Sequence, residues 1–300
     1  SHFRVFKEAS TYPIVTTLSK TETAENIYDI SIGKYNDSTD TLDFKSVTSE
    51  KLNFLEGYIW GYLLNEKIGI TEKIINQSVS ITECAKINAT STASEADDYH
   101  KLINEKGGYK LINTGTIDRY ESLWGKNELT DKGAKYLQPY LEKNTGEISE
   151  NRNNLYSSPK IILAKIAIRT EAFLDSIGEY ASINTNCFHS FSPDFDAKYI
   201  LAWLNSKLFQ FTFDCFFEGL KMQGGYLLYS APNVSKMYIK ELNNKQQQPF
   251  ITLVDKILVA KKKQIETDTI EAELDELFYN LFDLSKQERL TIENSLAKTK

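Results

Sequence analysis

The stretch FEGLKMQGGYLLYSAPNVSKMYIKEL (217–242) places two adjacent glycines, Gly224 and Gly225, inside an otherwise apolar region. The side chains that flank this pair and suit a nucleic acid are Lys221, Gln223 and Tyr226. Glycine permits backbone angles that are closed to other residues and lets a ligand approach the main chain. Lys, Gln and Tyr side chains contact phosphates or base edges. The stretch is therefore either a hairpin turn with exposed polar residues or a nucleic-acid contact.

The sequence upstream of this stretch predicts strands that lead into a helix. Residues 196–217 keep their apolar side chains on one face with helical spacing. Residues 157–191 predict two or three strands that are joined by a turn at 175–178, where Asp and Gly occur. Residues 108–125 predict a strand that runs into a polar loop, and residues 26–35 alternate as another strand would.

Further helices are predicted on either side of these strands. A helix-like pattern begins at Thr130, a plausible N-cap, and ends near Pro139. A second helix is expected between Ser49 as its N-cap and Gly69 as its stop signal. Residues 94–103 are short and polar but fit a helix as well.

The last fifth of the chain has apolar residues at helical spacing. One set is Phe250, Leu253, Val254, Ile257 and Leu258, and the next is Ile270, Leu274, Leu277, Phe278 and Leu281. The tetrapeptide SKQE (285–288) matches a capping box and predicts a third helix. The run of three glutamines at 246–248 before Pro249 predicts a linker.

Composition describes a globular chain with a modest acidic excess. The 300 residues are 41% hydrophobic, enough to fill a sizeable core, and the net charge of −6 argues against a uniformly basic nucleic-acid coat. When the chain is divided at residues 100, 173 and 248, the segment 101–173 is the one in which basic residues outnumber acidic ones.

Cys84, Cys187 and Cys215 lack metal-ligand spacing and predict buried free thiols. With no apolar run near the ~20 residues that span a bilayer, the sequence predicts a cytoplasmic protein without membrane contact.

Motifs that mark common enzymes are missing from the sequence. It contains no GxSxG, HExxH or Walker A motif, and no GxGxxG. It contains no Asn-Pro-Pro-Tyr or Asp-Pro-Pro-Tyr of amino-methyltransferases and no Glu-x-Lys of PD-(D/E)xK nucleases. We therefore expect no catalytic residues and no metal site in this chain.

Several segments, taken in order, resemble one family. FKEASTYPIV (6–15) and INTGTIDRYESLWG (112–125) resemble type IIG restriction–modification enzymes with an N6-adenine methyltransferase core. YILAWLNSKLFQF (199–211) and GLKMQGGYLLYSAPNVSKMYIKEL (219–242) are similar to the TaqI-like specificity domain of such enzymes. IEAELDELFYNLFDLSKQERLTIENSL (270–296) resembles their C-terminal helices.

This resemblance implies a fold, a domain plan and a set of partners. It implies an α+β fold in which a mixed β-sheet target recognition domain (49–245) precedes a C-terminal helical segment (246–300). Residues 1–48 would be terminal strands of an upstream methyltransferase domain of the same protein. The partner would be double-stranded DNA, read for adenine-N6 methylation and cleavage by domains outside this chain. S-adenosylmethionine, and Mg²⁺ for cleavage, would serve the parent enzyme, with no cofactor bound in this chain.

The resemblance also directs attention to particular DNA contacts. The glycine stretch offers Lys221, Gln223, Gly224, Gly225 and Tyr226, while its Met222 is interpreted as a core residue. Gln reads adenine through a bidentate pair, and Lys reads guanine or holds a phosphate.

The polar loop at 113–120 offers a second group of contacts. Its candidates are Asn113, Thr114, Thr116, Arg119 and Tyr120. Arg119 suits a bidentate pair with guanine, and the alternative is an ion pair with Asp118 or Glu121. The two threonines equally suit a role in fixing the turn.

Two further groups are candidates. Lys165 and Arg169 are an even number of residues apart, so on one regular strand they would form a basic stripe. The alternative is two solvated edge charges. Asn184, Thr185 and Asn186 suit a loop turn as well as a base edge.

Three other functions remain open on the sequence. A specificity subunit of a type I restriction–modification system would show two similar recognition halves and long helices, whereas this chain shows one half and modest helices. A protein-interaction module would lack salt-dependent DNA binding. An enzyme of unrecognised type would need a carboxylate cluster that the sequence does not reveal.

Overall fold

A computed structural model of the protein describes residue 17 and residues 29–36, 39–48, 67–143, 145–217 and 220–297. Strands and helices are interspersed along these residues, so the fold class is α+β, as predicted. Most of the helix predicted between Ser49 and Gly69 lies outside the described residues.

One four-stranded sheet is antiparallel throughout. Its strands in spatial order are β14 (Ala172–Asp175), β12 (Lys160–Ala164), β16 (Thr185–His189) and β4 (Lys86–Ala89). Every residue of β12 is buried, because this central strand carries the apolar run IILA and is covered on both faces.

The other four-stranded sheet is mixed. Its strands in spatial order are β15 (Tyr180–Ile183), β6 (Tyr109–Asn113), β11 (Tyr140–Leu141) and β5 (Ile103–Asn104). The β15–β6 pair is parallel, whereas β11 is antiparallel to both of its neighbours. The predicted mixed sheet is thereby confirmed.

Two-stranded ribbons supply the remaining described strands. They are β1 (Asp29–Asn36) with β2 (Thr41–Thr48), β3 (Val79–Ser80) with β18 (Tyr238–Ile239), β7 (Ile117–Asp118) with β8 (Glu121–Ser122), β9 (Leu129–Asp131) with β10 (Ala134–Tyr136), and β13 (Ile166–Ala167) with β17 (Leu227–Leu228). Strand β1 confirms the strand predicted at 26–35.

The helices lie around and after the sheets. They are α1 (Ile68–Ile75), α2 (Ala93–Tyr99), α3 (Glu150–Tyr156), α4 (Ala197–Asn205), α5 (Lys207–Phe217), α6 (Ala231–Val234), α7 (Asn244–Lys262), α8 (Asp268–Leu281) and α9 (Lys286–Ala297). In the described part of the chain, no helix combines the length and apolarity needed to cross a membrane.

The larger hydrophobic core joins the antiparallel sheet to the C-terminal helices. The ring of Trp203 on α4 lies 5.1 Å from that of Phe278 on α8, measured between centroids. Tyr199 on α4 lies 5.3 Å from Phe250 on α7. The three helices predicted at the C-terminus are confirmed, and they pack as part of this core. A smaller core lies under the mixed sheet.

The helix predicted at 196–217 is two helices, because Ser206 interrupts it. The Asp196 side chain caps α4 by accepting a hydrogen bond from the amide of Lys198. The Ser206 hydroxyl donates to the carbonyl of Trp203 and accepts from the amide of Phe209, so it ends one helix and begins the next.

The helix predicted between Thr130 and Pro139 is wrong, because this segment forms the β9–β10 hairpin and β11. Lys132 and Gly133 both have positive φ, 45° and 86°. Two such residues make the tight turn whose twist matches antiparallel strands. Local turn geometry therefore outweighed the helical spacing.

Two predicted boundaries are also wrong. Gly69 lies inside α1 instead of ending a helix. The glutamines at 246–248 lie within α7 instead of a linker. Gln247 is fully buried and donates to the carbonyls of Leu242 and Asp194, both at 2.7 Å. The domain limits 1–48, 49–245 and 246–300 stay predictions.

Other local predictions hold. The Ser285–Glu288 capping box is present, with the Ser285 amide donating to the Glu288 carboxylate at 2.6 Å. Asp175 and Gly178 form the predicted turn, in which the Gly178 amide donates to the Asp175 carboxylate at 2.9 Å. The three cysteines are free and buried, as expected.

Candidate nucleic-acid interface

Three loops meet where the two large sheets adjoin. The Thr114 hydroxyl donates to the carbonyl of Asn184 at 2.5 Å and accepts from the amide of Lys165 at 3.3 Å. Thr114 follows β6, Asn184 links β15 to β16, and Lys165 links β12 to β13. One threonine therefore gathers three loops at a single edge.

The first of these loops, at 113–116, is shaped by its own side chains. The Asn113 side chain accepts from the Gly115 amide at 3.0 Å, and the Thr116 hydroxyl accepts from the Asn113 amide at 2.8 Å. Thr116 is buried and Gly115 is exposed. Asn113, Thr114 and Thr116 thus fix a turn that presents its backbone at the surface.

The glycine stretch reaches the same edge through the β13–β17 ribbon. Ile166 pairs with Leu228 and Ala167 pairs with Leu227. The amide of Tyr229 donates to the carbonyl of Lys165 at 2.8 Å. The ribbon therefore ties the chain just after the glycine pair to the Lys165 loop.

The glycine loop, which we define as residues 220–226, is a closed turn that requires its glycines. The Met222 amide donates to the carbonyl of Tyr226 at 2.8 Å, and the Gly225 amide donates back to the Met222 carbonyl at 3.0 Å. Gly224 and Gly225 both have φ of 82°, in the left-handed region that side chains disfavour. The side chain of Gln223 lies outside the described residues.

Exposed apolar side chains gather on the ribbon and the glycine loop. They are Ile166, Leu220, Met222 and Tyr226, each between 38% and 60% exposed. The interpretation of Met222 as a core residue is wrong, because the loop closes on its backbone and leaves its side chain outside. Sequence reasoning missed Ile166 and Leu220, since nothing in an apolar run indicates which member will face water.

Lys221 anchors the glycine loop to helix α5. Its ammonium lies 3.1 Å from the Asp214 carboxylate. Asp214 also accepts from the side-chain amide of Gln210, whose oxygen accepts from the Thr170 amide at 2.7 Å and the Tyr229 hydroxyl at 2.9 Å. A buried network thus holds both the loop and the ribbon on α5.

Arg119 and Tyr120 face the interior, away from this edge. The Arg119 guanidinium lies 2.6 Å from the Glu271 carboxylate on α8 and is 15% exposed. Tyr120 is buried with φ of 66°, and burial raises the pKa of its hydroxyl far above the usual value. The ion pair weighed for Arg119 exists, but its partner is Glu271 and not Asp118 or Glu121.

Lys165 and Arg169 do not share a strand face. Lys165 lies between β12 and β13, and Arg169 lies in the turn that follows β13. Arg169 is exposed and lies 3.5 Å from Asp118 and 3.8 Å from Glu171. Among the described residues, Lys165 makes no ion pair. The basic stripe is therefore replaced by one cation at each end of β13.

A polar cavity of about 330 Å³ lies beside Arg169, between the β7–β8 ribbon and the α7–α8 connection. Lys261 bridges Asp118 and Glu121 across it, at 3.6 and 3.5 Å. Burial, reinforced by the nearby Asp118, raises the pKa of Glu171 to about 7. These charges satisfy one another and join the C-terminal helices to the rest of the fold.

Within the described residues, no group of three His, Cys, Asp or Glu side chains is arranged to hold a metal ion. The edge gathers Asn113, Thr114, Lys165, the Asn184 loop and, through the ribbon, the glycine loop. Thr185 and Asn186 are buried within β16, so Asn184 alone of that polar group is exposed.

The loops of this edge lie within a segment that matches a known protein family. Residues 109–227 match the family model of the TaqI-like C-terminal specificity domain. No curated protein matches the chain. A solved structure, the type IIG restriction endonuclease BpuSI, aligns at 13% identity with a TM-score of 0.42, over 80% of this chain and 36% of that one. The chain spans little more than a third of that enzyme's length. Residues 109–227 of this chain are thus similar to the TaqI-like specificity domain, in agreement with the sequence resemblance.

Proposed function

We propose that this chain recognises a DNA sequence for a type IIG restriction–modification enzyme. The observation that carries the proposal is that the specificity-domain match at 109–227 spans all the loops that meet at the edge beside Lys165. In these loops Gly115 and Asn184 are exposed and Asn113, Thr114 and Lys165 are half-buried, so a duplex has access to them.

The chemistry of the edge suits duplex DNA. Asn184 and Asn113 carry amides, which both donate and accept hydrogen bonds at base edges. Lys165 supplies a cation for a backbone phosphate. Phosphate contacts fix the register of a protein on the duplex, and base contacts supply the specificity. The loops therefore hold both kinds of group within one surface.

The acidic net charge sets the expected affinity. At −6 the chain has no broad positive field to draw DNA from a distance. Binding then depends on a few placed cations and gains strength from a neighbouring domain. We propose that an upstream methyltransferase domain supplies that neighbour and clamps the duplex from the other side. Methylation of adenine N6, with S-adenosylmethionine as donor, and Mg²⁺-dependent cleavage belong to domains outside this chain.

The test is selection of bound duplexes from a randomised library, followed by fluorescence anisotropy across salt concentrations. An enriched sequence, with log K falling as log salt rises, supports the proposal. Lys165→Ala should weaken binding to all duplexes about equally and reduce the salt slope by about 1, whereas Asn184→Ala should change the enriched sequence.

Lys135→Ala is the matched control, because Lys135 is an exposed lysine on the β9–β10 hairpin that pairs with Glu128. It should leave both the slope and the enriched sequence unchanged. Absence of any enriched sequence would contradict the proposal and favour a protein-interaction module.

A further inference from the structure

The backbone of Tyr226 is held in a defined position at the end of the ribbon. Its backbone carbonyl closes the glycine loop, and the next residue, Leu227, pairs with Ala167. A Cβ placed on Gly224 would lie 3.3 Å from Cδ2 and Cε2 of the Tyr226 ring. Because Gly224 has no side chain, the Tyr226 ring occupies its position without crowding a Cβ atom.

The ring nevertheless remains open to solvent. Tyr226 is 43% exposed, and its exposed apolar neighbours along the ribbon and loop are Ile166 and Met222. Clustered exposed apolar side chains mark surfaces that bind a partner. The rigid backbone means that this surface is formed before the partner arrives, so little conformational entropy is lost on binding.

Cations flank this apolar surface along the chain. Lys165 immediately precedes Ile166, and Arg169 follows β13 by two residues. A partner that suits both features combines an apolar plane with negative charge at its borders. Duplex DNA has this combination, because its bases are flat and stacked and its charge lies on the phosphates.

We propose that Tyr226 stacks on a nucleobase at a base step that opens when the protein binds DNA. The inference rests on the proposed function and adds a specific contact to it. Met222, whose amide bonds to the Tyr226 carbonyl, and Ile166, which pairs with Leu228, would keep water from the opened step. Lys165 lies on the side where the adjoining phosphate would pass.

Stacking would give this contact a distinct role in recognition. Every base has a flat face, so the ring tolerates different bases and contributes affinity and local DNA deformation more than sequence identity. Opening a step favours sequences that deform easily, such as pyrimidine–purine steps. The amides of the neighbouring loops would then read the bases on either side.

The experiment uses the full chain and a duplex taken from the selected library, with 2-aminopurine placed at each position in turn. Binding should change the fluorescence at one step, because this base reports on its own stacking. Tyr226→Ala should abolish that change and weaken binding roughly 5- to 140-fold, the range that corresponds to loss of one stacked base. Tyr226→Phe should retain both.

Two further variants make the outcome specific. Tyr226→Leu keeps an apolar group without a flat ring and should behave like Tyr226→Ala. Ile177→Ala, at an exposed isoleucine in the turn before β15, lies at the opposite end of that strand from Asn184 and should leave both readouts unchanged. Since Tyr226 is exposed, thermal unfolding midpoints of all variants should match that of the parent chain.

The outcomes separate the two proposals. Selection of a DNA sequence that Tyr226→Ala binds as well as the parent chain overturns stacking and leaves sequence reading intact. A Tyr226→Leu variant that retains the fluorescence change also overturns stacking, in favour of simple apolar insertion. Failure of the parent chain to select any sequence overturns the proposed function itself.

Discussion

At the scale of single residues, a buried ion pair joins Lys160, the first residue of β12, to Asp175, the last residue of β14. The Lys160 ammonium lies 2.5 Å from the Asp175 carboxylate, with side chains 0% and 1% exposed. Lys160 also donates to the Tyr156 carbonyl at 2.7 Å. Asp175 accepts from the amides of Gly178, Glu179 and Tyr180. Both charges are therefore satisfied without water.

The first prediction compares the loss of each member of this ion pair, because Asp175 also accepts from three backbone amides. Asp175→Ala removes the acceptor for one ammonium and three amides, so it should lower the free energy of unfolding by about 3–5 kcal/mol. Lys160→Met should cost less, because the three amides continue to satisfy Asp175. Urea unfolding monitored by circular dichroism measures both values. Lys135→Ala, which removes an exposed ion pair, is the control and should cause no measurable change.

The second prediction concerns Glu171 and pH. Burial and Asp118 raise its pKa in the folded protein from 4.5 to about 7. Between these values the folded state binds more protons than the unfolded state, so this group makes stability fall as pH rises from about 4.5 to about 7. Glu171→Gln should remove that contribution and become more stable, relative to the parent chain, as pH rises through this window.

Urea unfolding at several pH values tests this prediction. Glu128→Gln, at an exposed carboxylate on the surface, is the matched control and should keep a constant difference from the parent chain. A Glu171→Gln difference that does not vary with pH would show that the folded protein does not hold this proton.

At the scale of elements, the glycine loop shows how two adjacent glycines have different roles. Gly224 and Gly225 share φ of 82°. The third prediction is that Gly225→Ala incurs only the left-handed backbone penalty, ~1 kcal/mol, because a Cβ there meets nothing within 4 Å. Gly224→Ala should cost more, because its Cβ also crowds the Tyr226 ring. Thermal unfolding compares the two, and equal losses would contradict the role assigned to Gly224.

Elements differ in how far the sequence predicts them. The helices α7 and α8 were predictable because their apolar spacing and their packing agree. The β9–β10 hairpin was not, because its leucine and tyrosine positions also fit a helix. The turn at Lys132 and Gly133 decided between them. Short segments with ambiguous spacing are settled by turn geometry and by neighbouring strands.

At the scale of the whole molecule, the C-terminal helices and the antiparallel sheet share one core. Phe278 on α8 packs on Trp203 and Phe250, with ring centroids 5.1 and 4.6 Å away. The ion pair between Arg119 and Glu271 adds a polar link between the same parts. These contacts make the helical segment part of the structural support of the antiparallel sheet.

The fourth prediction is that the described core unfolds as one unit. Circular dichroism and tryptophan fluorescence should give coincident urea transitions. A chain that ends at residue 245 would expose Tyr199 and Trp203, so it should lose near-ultraviolet dichroism and aggregate. Two separate transitions, or a truncated chain that keeps its near-ultraviolet spectrum, would show instead that residues 246–300 form an independent unit.

The candidate site was predictable in part. The sequence singled out the loop at 113–116 and the glycine pair because turn-forming and polar residues concentrate there, and the structure brings both segments to one edge. It could not separate Arg119, which pairs with Glu271, from Lys165, which lies in a loop at the edge and is half-buried. Glu271 is 152 positions further along the chain, and no local sequence pattern indicates that Arg119 will pair with so distant a residue.

The sequence by itself determined the C-terminal helices and permitted left-handed backbone at Gly224 and Gly225, and its family resemblance indicated the α+β class. These follow from local spacing, capping and the absence of a Cβ, which act within a few residues. Only the tertiary structure decided which polar and apolar side chains face water at one edge. That outcome depends on strand pairing and on partners far apart in the chain, because burial is a property of the assembled core and not of any segment.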